Sequence, residues 1–349
     1  MKPYSFFGKS TLIGLSCVSA VAFTSCQKEI PPVFKNINWE SGQPVVLVAG
    51  WESNGVTSIA KYWINNQEVI LSDGTNDAKA NSIFSKGNNV YIAGNDAGAV
   101  YWKNNAETKL PAISTNSSAN SIYISGNNAY IAGSDNGCAV YWKNGAEVIL
   151  NNNKDSASEA TSVFISGNDI YVAGFLGINA VYWKNGVIVY LTNNSLPGST
   201  AIAYSINISG GDVHVVGSYR SLSIGQFYPI LIYWKNGVEI PLSPNNSVTG
   251  GPGNAIFASG NNVYIAGVVN TDLTITPYHA AYWKNGTETI LPSSAFNSFA
   301  NSIYVSGNDV YVAGTLFFSP IYAVYWKNGE EVKLTDGTMP AAAVSIFVK

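Results

Sequence analysis

The chain is poor in charge and in the side chains on which most enzymes depend. Of its 349 residues only 11% are charged, and it has two histidines, three cysteines and one arginine, Arg220. It has no His-x-x-His or Cys-His spacing of the kind that binds zinc, and no glycine-rich phosphate loop that leads into a helix. The sequence therefore predicts no metal site and no cofactor.

The N-terminal segment predicts export and lipid anchoring. Residues 1–25 place Lys2 and Lys9 around an apolar stretch that is too short to span a bilayer. The sequence from Ala22 to Cys26 (AFTSC) resembles a bacterial lipobox, in which the cysteine is diacylated and becomes the new N-terminus. Two acyl chains hold a protein stably on a membrane, so we expect a membrane anchor at Cys26. The alternative is an ordinary secretory leader followed by an unrelated cysteine.

Residues 26–44 then predict a tether, because Pro31 and Pro32 favour extended chain. The sequence Gln27-Lys28-Glu29 resembles a surface-export tag of Bacteroidota lipoproteins, so we expect an outer-membrane location, on the periplasmic face or the cell surface. Without the leader, 16 basic residues stand against 21 acidic ones, which excludes nucleic acid as a partner. Cys138 is the one remaining thiol, so no intramolecular disulfide can form, and we expect a monomer.

One dipeptide recurs through the rest of the chain. It stands seven times, as Tyr62-Trp63, Tyr101-Trp102, Tyr141-Trp142, Tyr182-Trp183, Tyr233-Trp234, Tyr282-Trp283 and Tyr325-Trp326. Six copies continue as Lys-Asn-Gly or Lys-Asn-Asn, and the spacings run from 39 to 51 residues. This period is that of a four-stranded propeller blade.

Each period contains four short runs with strand composition, for example residues 121–125, 129–132, 139–143 and 147–150. Asn and Gly join the first run to the second and the third to the fourth, which predicts two tight hairpins and hence one antiparallel four-stranded sheet. Both faces of the sheet are apolar, so each sheet needs a neighbour on either side. The sequence thus predicts an all-β protein: a seven-bladed β-propeller over residues 45–349.

The two ends of the repeat region complement each other. The first period lacks its opening strand and begins at Val45, whereas residues 345–348 (SIFV) match the opening strand of later periods, such as residues 302–305. We therefore expect the C-terminal strand to pair in the first blade and close the ring.

The tandem YWKNG phrases resemble those of a group of exported bacterial repeat proteins, and more distantly exported repeats with an Ala-Phe-Leu-Trp-x-Asn-Gly phrase. The resemblance covers residues 45–348 and implies a propeller in the cell envelope. It implies no activity and no binding residue. The Trp-Asp and double-Gly marks of WD40 and kelch propellers are absent at the matching places.

Loop lengths predict which face binds a ligand. Hairpin turns are uniformly short, whereas the other connections vary and reach a dozen residues in blades five and six. Variable loops on a rigid scaffold are where recognition usually lies. We predict a glycan or protein ligand, bound without catalysis by residues of these two loops: Tyr219, Arg220, Phe227, Tyr228, Asp272, Tyr278 and His279. Further aromatic residues predicted on this face are Trp51, Phe175, Phe296, Phe299, Phe317, Phe318 and Tyr322.

Three alternatives stay open at this point. The loop aromatics could pack on the rim of the propeller around a solvated loop. A glycosidase or lyase could use carboxylates predicted on the same face, namely Asp96, Asp135, Asp155, Glu159 and Asp272. The protein could also be a purely structural envelope component.

The tripeptide Asp155-Ser156-Ala157 resembles an O-glycosylation signal of Bacteroidota.

Overall fold

The fold consists of β-strands joined by turns. The structure, a computed structural model, describes residues 42–151, 156–192, 200–220, 229–240, 242, 254–270 and 277–349. The predicted leader and most of the predicted tether lie outside these residues. Nothing in the described ranges forms a helix with the length and hydrophobicity needed to cross a bilayer.

Within the described residues, twenty-eight strands form seven sheets of four. The strands of the first half are β1 Val46–Ser53, β2 Ser58–Ile64, β3 Gln67–Ile70, β4 Ala78–Lys86, β5 Asn89–Asp96, β6 Ala99–Lys103, β7 Ala106–Lys109, β8 Ser117–Ser125, β9 Asn128–Asp135, β10 Cys138–Lys143, β11 Ala146–Ile149, β12 Ser158–Ser166, β13 Asp169–Leu176 and β14 Asn179–Lys184. Those of the second half are β15 Val187–Tyr190, β16 Thr200–Ser209, β17 Asp212–Arg220, β18 Ile230–Lys235, β19 Val238–Ile240, β20 Ala255–Ser259, β21 Asn262–Asn270, β22 Tyr278–Lys284, β23 Thr287–Ile290, β24 Asn297–Ser306, β25 Asp309–Phe317, β26 Ile321–Lys327, β27 Glu330–Lys333 and β28 Ala341–Val348.

The sheets are the seven blades of a propeller. Blade 1 has the order β28-β1-β2-β3, and blades 2 to 7 each use four consecutive strands, from β4–β7 to β24–β27. The first strand of each blade contacts the first strands of both neighbours, from β4 through β8, β12, β16, β20 and β24 to β28 and back to β4. These seven innermost strands surround the axis, so the predicted all-β, seven-bladed fold is confirmed.

Closure by the C-terminal strand is also confirmed. Strand β28 pairs antiparallel with β1, from Val46 opposite Val348 to Glu52 opposite Ala341. The backbones of Val45 and Lys349 exchange two further hydrogen bonds of 2.9 and 3.0 Å. The first and last described strands, β1 and β28, therefore lie in the same sheet.

The innermost strands are longer than the sequence predicts. In blade 3 the expected run was residues 121–125, but β8 begins at Ser117. A β-bulge between Ala119 and Ser121 breaks the alternation of side chains, and the residues before it are small and polar, so the sequence pattern ends there. The facing residue, Gly133, needs to be glycine, because a Cβ would lie 1.8 Å from the carbonyl oxygen of Ser118.

A ring of serines ties each innermost strand to the next. In blade 2 the Ser82 Oγ accepts a hydrogen bond of 3.1 Å from the backbone N–H of Ile122 in blade 3. The same contact recurs at Ser121, Ser162, Ser205, Ser302 and Ser345. Ala255 occupies this position in blade 6, so the hydroxyl contact to blade 7 is absent there. The serines fix the stagger between blades around the axis.

Candidate functional site

The repeated YWKNG phrase is structural. Its seven tryptophans are at most 1% exposed and pack between neighbouring blades. The lysine that follows places its Nζ 5.2 to 5.5 Å from the ring centroid of a tyrosine on the adjacent strand in five blades, as Lys103 does over Tyr91. In three blades it also pairs with an aspartate, as Lys327 does with Asp309.

The Asn-Gly pair of the phrase makes the hairpin turn. Asn144 and Gly145 both have positive φ, of 50° and 82°, as a tight hairpin requires. The Asn144 Oδ1 accepts a hydrogen bond of 2.9 Å from the Ala129 N–H, and its Nδ2 donates to Asn128. The equivalent asparagine accepts the same hydrogen bond in each of the other six blades. The repeated phrase therefore has a structural role in every blade.

Two faces of the ring can be distinguished. The hairpin face carries the turns within each blade, such as the one at Asn144. The variable face carries the connections from the second to the third strand of each blade and from the outer strand to the next blade. Strand β17 ends at Tyr219 and Arg220 on the variable face. Strand β22 begins at Tyr278 and His279 on the same face.

The predicted loop site is only partly described. Phe227, Tyr228 and Asp272 lie outside the described residues, and for Arg220 the structure gives the backbone alone, at the end of β17. Tyr219 is half-buried and packs against the hydrophobic cluster between blades 4 and 5. Tyr278 and His279, both half-buried, begin β22 in blade 6. The loop site as a whole therefore remains a prediction.

Tyr278 belongs to a group of aromatic side chains that spans blades 6 and 7. Its ring centroid lies 5.8 Å from that of Phe299, which meets the edge of Phe317 at 4.8 Å. Phe317 is 43% exposed, and Phe296 and Phe318, on the two adjoining connections, are each 60% exposed. We call these five residues the aromatic patch. It is the largest group of exposed aromatic side chains on the described part of the variable face.

The other predicted aromatics are more enclosed. Trp51, in blade 1, lies under the Lys79 Nζ, 5.0 Å from the ring centroid. Tyr322 lies under Lys333 at 4.8 Å and fills the space beside Gly337. Phe175 is half-buried opposite Glu159. The described ring contacts join none of these three residues to the patch.

The described carboxylates on this face accept hydrogen bonds from the protein itself. Asp135 accepts from the backbone N–H groups of Ile113 and Ser114, and Asp96 accepts from the Asn76 side chain at 3.0 Å. Glu159 accepts from the Asn120 Nδ2 at 2.7 Å. Asp155 lies outside the described residues. Each of these three carboxylates therefore holds a neighbouring part of the fold by hydrogen bonds. A catalytic role would have to be compatible with those hydrogen bonds.

Glutamate recurs at one position of the outer strand in six blades. Those at 68, 107, 239 and 288 are exposed, whereas Glu147 and Glu331 are half-buried. Glu331 accepts hydrogen bonds from Ser294, but the Glu147 Oε1 has no hydrogen-bond partner among the described residues. Burial, and then the nearby Asp135 carboxylate, raise the pKa of Glu147 above its ordinary value. Within the described ranges, no three His, Cys, Asp or Glu side chains converge as metal ligands.

His214 is a buried strand residue. It occupies the place of Tyr171 and Tyr311 in their blades, as the sequence indicates, and its Nδ1 lies 2.7 Å from the Tyr233 hydroxyl. Burial lowers the pKa of His214 and raises that of Tyr233 to about 12. Five other blades have two tyrosines at these positions, and blade 1 has Leu47 and Tyr62, so His214 takes the place of a tyrosine beside Tyr233.

Sequence analysis missed a ring of side chains at the axis. Seven equivalent positions on the innermost strands carry Phe84, Tyr123, Phe164, Asn207, Phe257, Tyr304 and Phe347. Five neighbouring pairs have ring centroids 4.7 to 5.0 Å apart. We call these seven residues the axial collar. Aligning the repeats on the Ser-Ile-aromatic phrase would have revealed six aromatics and one amide.

Comparisons with known proteins find similarity to solved structures at low sequence identity. No family model matches, and no curated protein matches. A computationally designed protein, Ika8, is 15% identical with a TM-score of 0.45, covering 85% of this chain and 90% of its own. A putative 6-phosphogluconolactonase from Bacteroides fragilis is 12% identical with a TM-score of 0.47, covering 89% and 99%. A thermostable family-43 glycoside hydrolase is 10% identical with a TM-score of 0.39, covering 61% and 93%. The lactonase and glycoside hydrolase activities belong to those proteins, and the similarity does not assign them to this chain.

Proposed function

We propose that this chain is a lipid-anchored protein of the bacterial envelope that binds a protein partner through the aromatic patch. The observation that supports a binding role is the exposure of Phe296, Phe317 and Phe318 on neighbouring connections of the variable face, where Asn297, next to Phe296, lies opposite Phe317. Exposed apolar groups of this kind mark interaction sites, and aromatic side chains are enriched in the cores of protein interfaces. The anchor rests on the lipobox-like sequence ending at Cys26.

The size of the patch favours an anchor point within a larger interface. Three phenylalanines at these exposures offer roughly 300 Å² of apolar surface, or about 8 kcal/mol at 25 cal/mol per Å². Association itself costs about 4 to 15 kcal/mol, so the patch needs polar contacts around it. We expect the loop residues predicted in blades 5 and 6, Arg220 and His279 among them, to supply such contacts.

The test compares two pairs of substitutions that remove similar apolar area. Phe317→Ser with Phe318→Ser removes the centre of the patch. Val187→Ser with Tyr190→Ser removes two exposed residues from the outer edge of blade 4, which are 69% and 53% exposed. A partner is first captured by crosslinking on intact cells and purified, and its Kd is then measured for each variant.

We expect the patch variant to weaken binding by at least about tenfold and the edge variant to leave it unchanged. Equal affinities for the two variants would contradict the proposal. If a glycan is captured in place of a protein, and the patch variant binds it more weakly, the patch is a binding site but the proposal of a protein partner is wrong.

The anchor has a separate test. Cys26→Ser should move the chain from the membrane fraction to the soluble fraction and abolish incorporation of labelled palmitate. Labelling that persists in the Cys26→Ser variant would contradict acylation at this residue.

A further inference from the structure

The hairpin face of the ring is basic, although the chain as a whole is acidic. The hairpin turns, each taken with the residue on either side of it, hold seven lysines and four acidic residues. In the rest of residues 45–349, seven basic residues stand against 15 acidic ones. The hairpin turns therefore carry a charge opposite to that of the rest of the ring.

The positive charge is concentrated in blades 1 to 3. In blades 4 to 7 the hairpin turns hold four lysines and four acidic residues, and three of these lysines pair with an aspartate of their own blade at 2.7 to 3.2 Å: Lys184, Lys235 and Lys327. Blades 2 and 3 have Asn89 and Asn128 in place of that aspartate, and no hairpin turn of blades 1 to 3 holds an acidic residue. The lysines in the turns of blades 2 and 3 therefore have no carboxylate beside them to offset their charge.

Four exposed lysines form what we call the basic cluster: Lys86, Lys103, Lys143 and Lys349. The Lys349 Nζ, in blade 1, donates to a turn carbonyl of blade 2 at 2.7 Å, and the Lys86 Nζ, in blade 2, donates to a turn carbonyl of blade 3 at 2.7 Å. Lys103 and Lys143 each hold the Nζ 5.5 Å from a tyrosine ring centroid of their own blade. Carbonyl and ring contacts leave the charge of an ammonium group in place. The hairpin face of three consecutive blades is therefore positive at both its inner and its outer turns.

The predicted tether joins the ring beside this cluster. Val45, the residue that follows the tether, exchanges backbone hydrogen bonds of 2.9 and 3.0 Å with Lys349. The carbonyl of Val46 accepts a hydrogen bond of 2.9 Å from Asn65, in the hairpin turn of blade 1, so the chain enters the ring on the hairpin face. Residues 27–44 can span about 60 Å when fully extended. The tether therefore keeps the basic cluster near the membrane, and the surface charge of the ring decides which face meets the lipid.

We propose that the basic cluster docks on the anionic lipid headgroups of the membrane that holds the anchor. Lysines beside a membrane anchor are attracted to anionic lipid, by about fivefold in partitioning for each lysine. The tether gives these headgroups a high local concentration that a polyanion in solution lacks. The inference rests on the proposed anchor at Cys26. It also orients the proposed binding site, because a ring that lies on its hairpin face presents the variable face and the aromatic patch to the solvent.

The test measures which face of the anchored protein lies near the lipid. The acylated protein is purified from membranes and inserted by its anchor into vesicles of phosphatidylcholine, either alone or with about 30% phosphatidylglycerol. In a Cys138→Ser background, a fluorophore is attached through Asn127→Cys, in an exposed hairpin turn of blade 3, or through Val56→Cys, which is 90% exposed on the variable face of blade 1. Lipids with a spin-labelled headgroup quench whichever label lies close to the surface.

We expect the hairpin label to be quenched at least about threefold more than the variable label on anionic vesicles at about 0.1 M salt. The difference should disappear on phosphatidylcholine alone. It should also disappear at about 1 M salt, where the Debye length falls from about 10 Å to about 3 Å. Equal quenching of the two labels on anionic vesicles would overturn the proposal, as would a difference that persists at high salt.

Two pairs of substitutions locate the charge that is responsible. Lys103→Gln with Lys143→Gln removes half of the basic cluster and should weaken docking by about 25-fold, so that the two labels are quenched nearly equally. Lys109→Gln with Lys333→Gln removes the same charge from the exposed variable-face ends of β7 and β27 and should leave the difference unchanged. Equal effects of the two pairs would show that net charge, and not the hairpin face, drives the attraction.

Flotation of the same samples separates this proposal from that of the anchor. Protein that floats with both kinds of vesicle but shows equal quenching is anchored without docking. Protein that floats with the anionic vesicles alone docks without the proposed anchor. Protein that floats with neither would contradict both proposals.

Discussion

The side chain of Ile346 provides a quantitative test of how the ring is closed. It is 4% exposed and packs with Val48 and Trp63 of blade 1 in the cluster that also holds blade 7 residues. Ile346→Ala removes three carbon atoms, worth about 0.8 kcal/mol each in transfer free energy, and leaves a cavity. Together these give a loss of about 2.5 to 5 kcal/mol in the free energy of unfolding.

Ile303 is the matched control. It holds the same position in β24, inside a blade made of consecutive strands, and is 5% exposed. If β28 is as firmly held as an internal strand, Ile303→Ala and Ile346→Ala should cost the same within about 0.5 kcal/mol. Urea unfolding followed by tryptophan fluorescence measures both, because the seven repeat tryptophans are buried. A large loss for Ile303→Ala with almost none for Ile346→Ala would refute closure by the C-terminal strand.

Three further substitutions test single contacts. Ser85→Val should stabilise the fold by about 1 kcal/mol in urea unfolding, because the buried Ser85 hydroxyl has no partner and most counterparts are Ile or Val; a destabilised variant would contradict this. Burial lowers the pKa of His214 below that of the unfolded chain, so the stability linked to its neutral form is present above about pH 6.5 and is lost as the pH falls. His214→Tyr should remove that acid-side loss from the melting temperature, and an unchanged pH profile would exclude His214 as its source. Gly314→Ala should lower the free energy of unfolding by about 3 kcal/mol or more, because its Cβ would lie 2.1 Å from the Phe299 carbonyl oxygen. Gly307→Ala, in an open turn with positive φ, should lower it by about 1 kcal/mol. Equal losses would argue against the close approach at Gly314.

The architecture could be predicted because its signals are local. A hairpin such as that at Asn144-Gly145 needs positive φ at two adjacent residues, and this leaves a mark in any single sequence. The closure was predictable for a similar reason, since residues 345–348 match a strand that blade 1 lacks. The bulge before Ser121 was not predicted, because a bulge interrupts the very alternation by which a strand is found.

The candidate sites were harder to predict, because they depend on which side chains converge. The sequence placed Tyr278 and Phe317 on one face but could not show that Phe299 joins them through ring contacts. The axial collar is assembled from seven residues about forty or fifty positions apart. Each is an ordinary strand residue until the ring brings them together.

Departures from the repeat can be sorted by whether a partner compensates for them. Lys61 replaces an apolar residue of the other blades, but it pairs with Glu52 and Glu68 at 2.5 and 3.0 Å. His214 replaces a tyrosine and still bonds to Tyr233. Ser85 and Asn207 have no such compensation.

These last two positions differ in where their side chains point. Ser85 shares its side of β4 with Ile83, which packs into the cluster of blades 1 and 2, so its hydroxyl can only cost stability. Asn207 takes the place of a ring in the axial collar, between Phe164 and Phe257, and its Oδ1 is buried without a partner. Asn207→Phe should therefore add ring contacts as well as remove the unpaired oxygen, and stabilise the fold by more than Ser85→Val does in urea unfolding. A smaller gain for Asn207→Phe than for Ser85→Val would argue against ring packing around the axis as a source of stability.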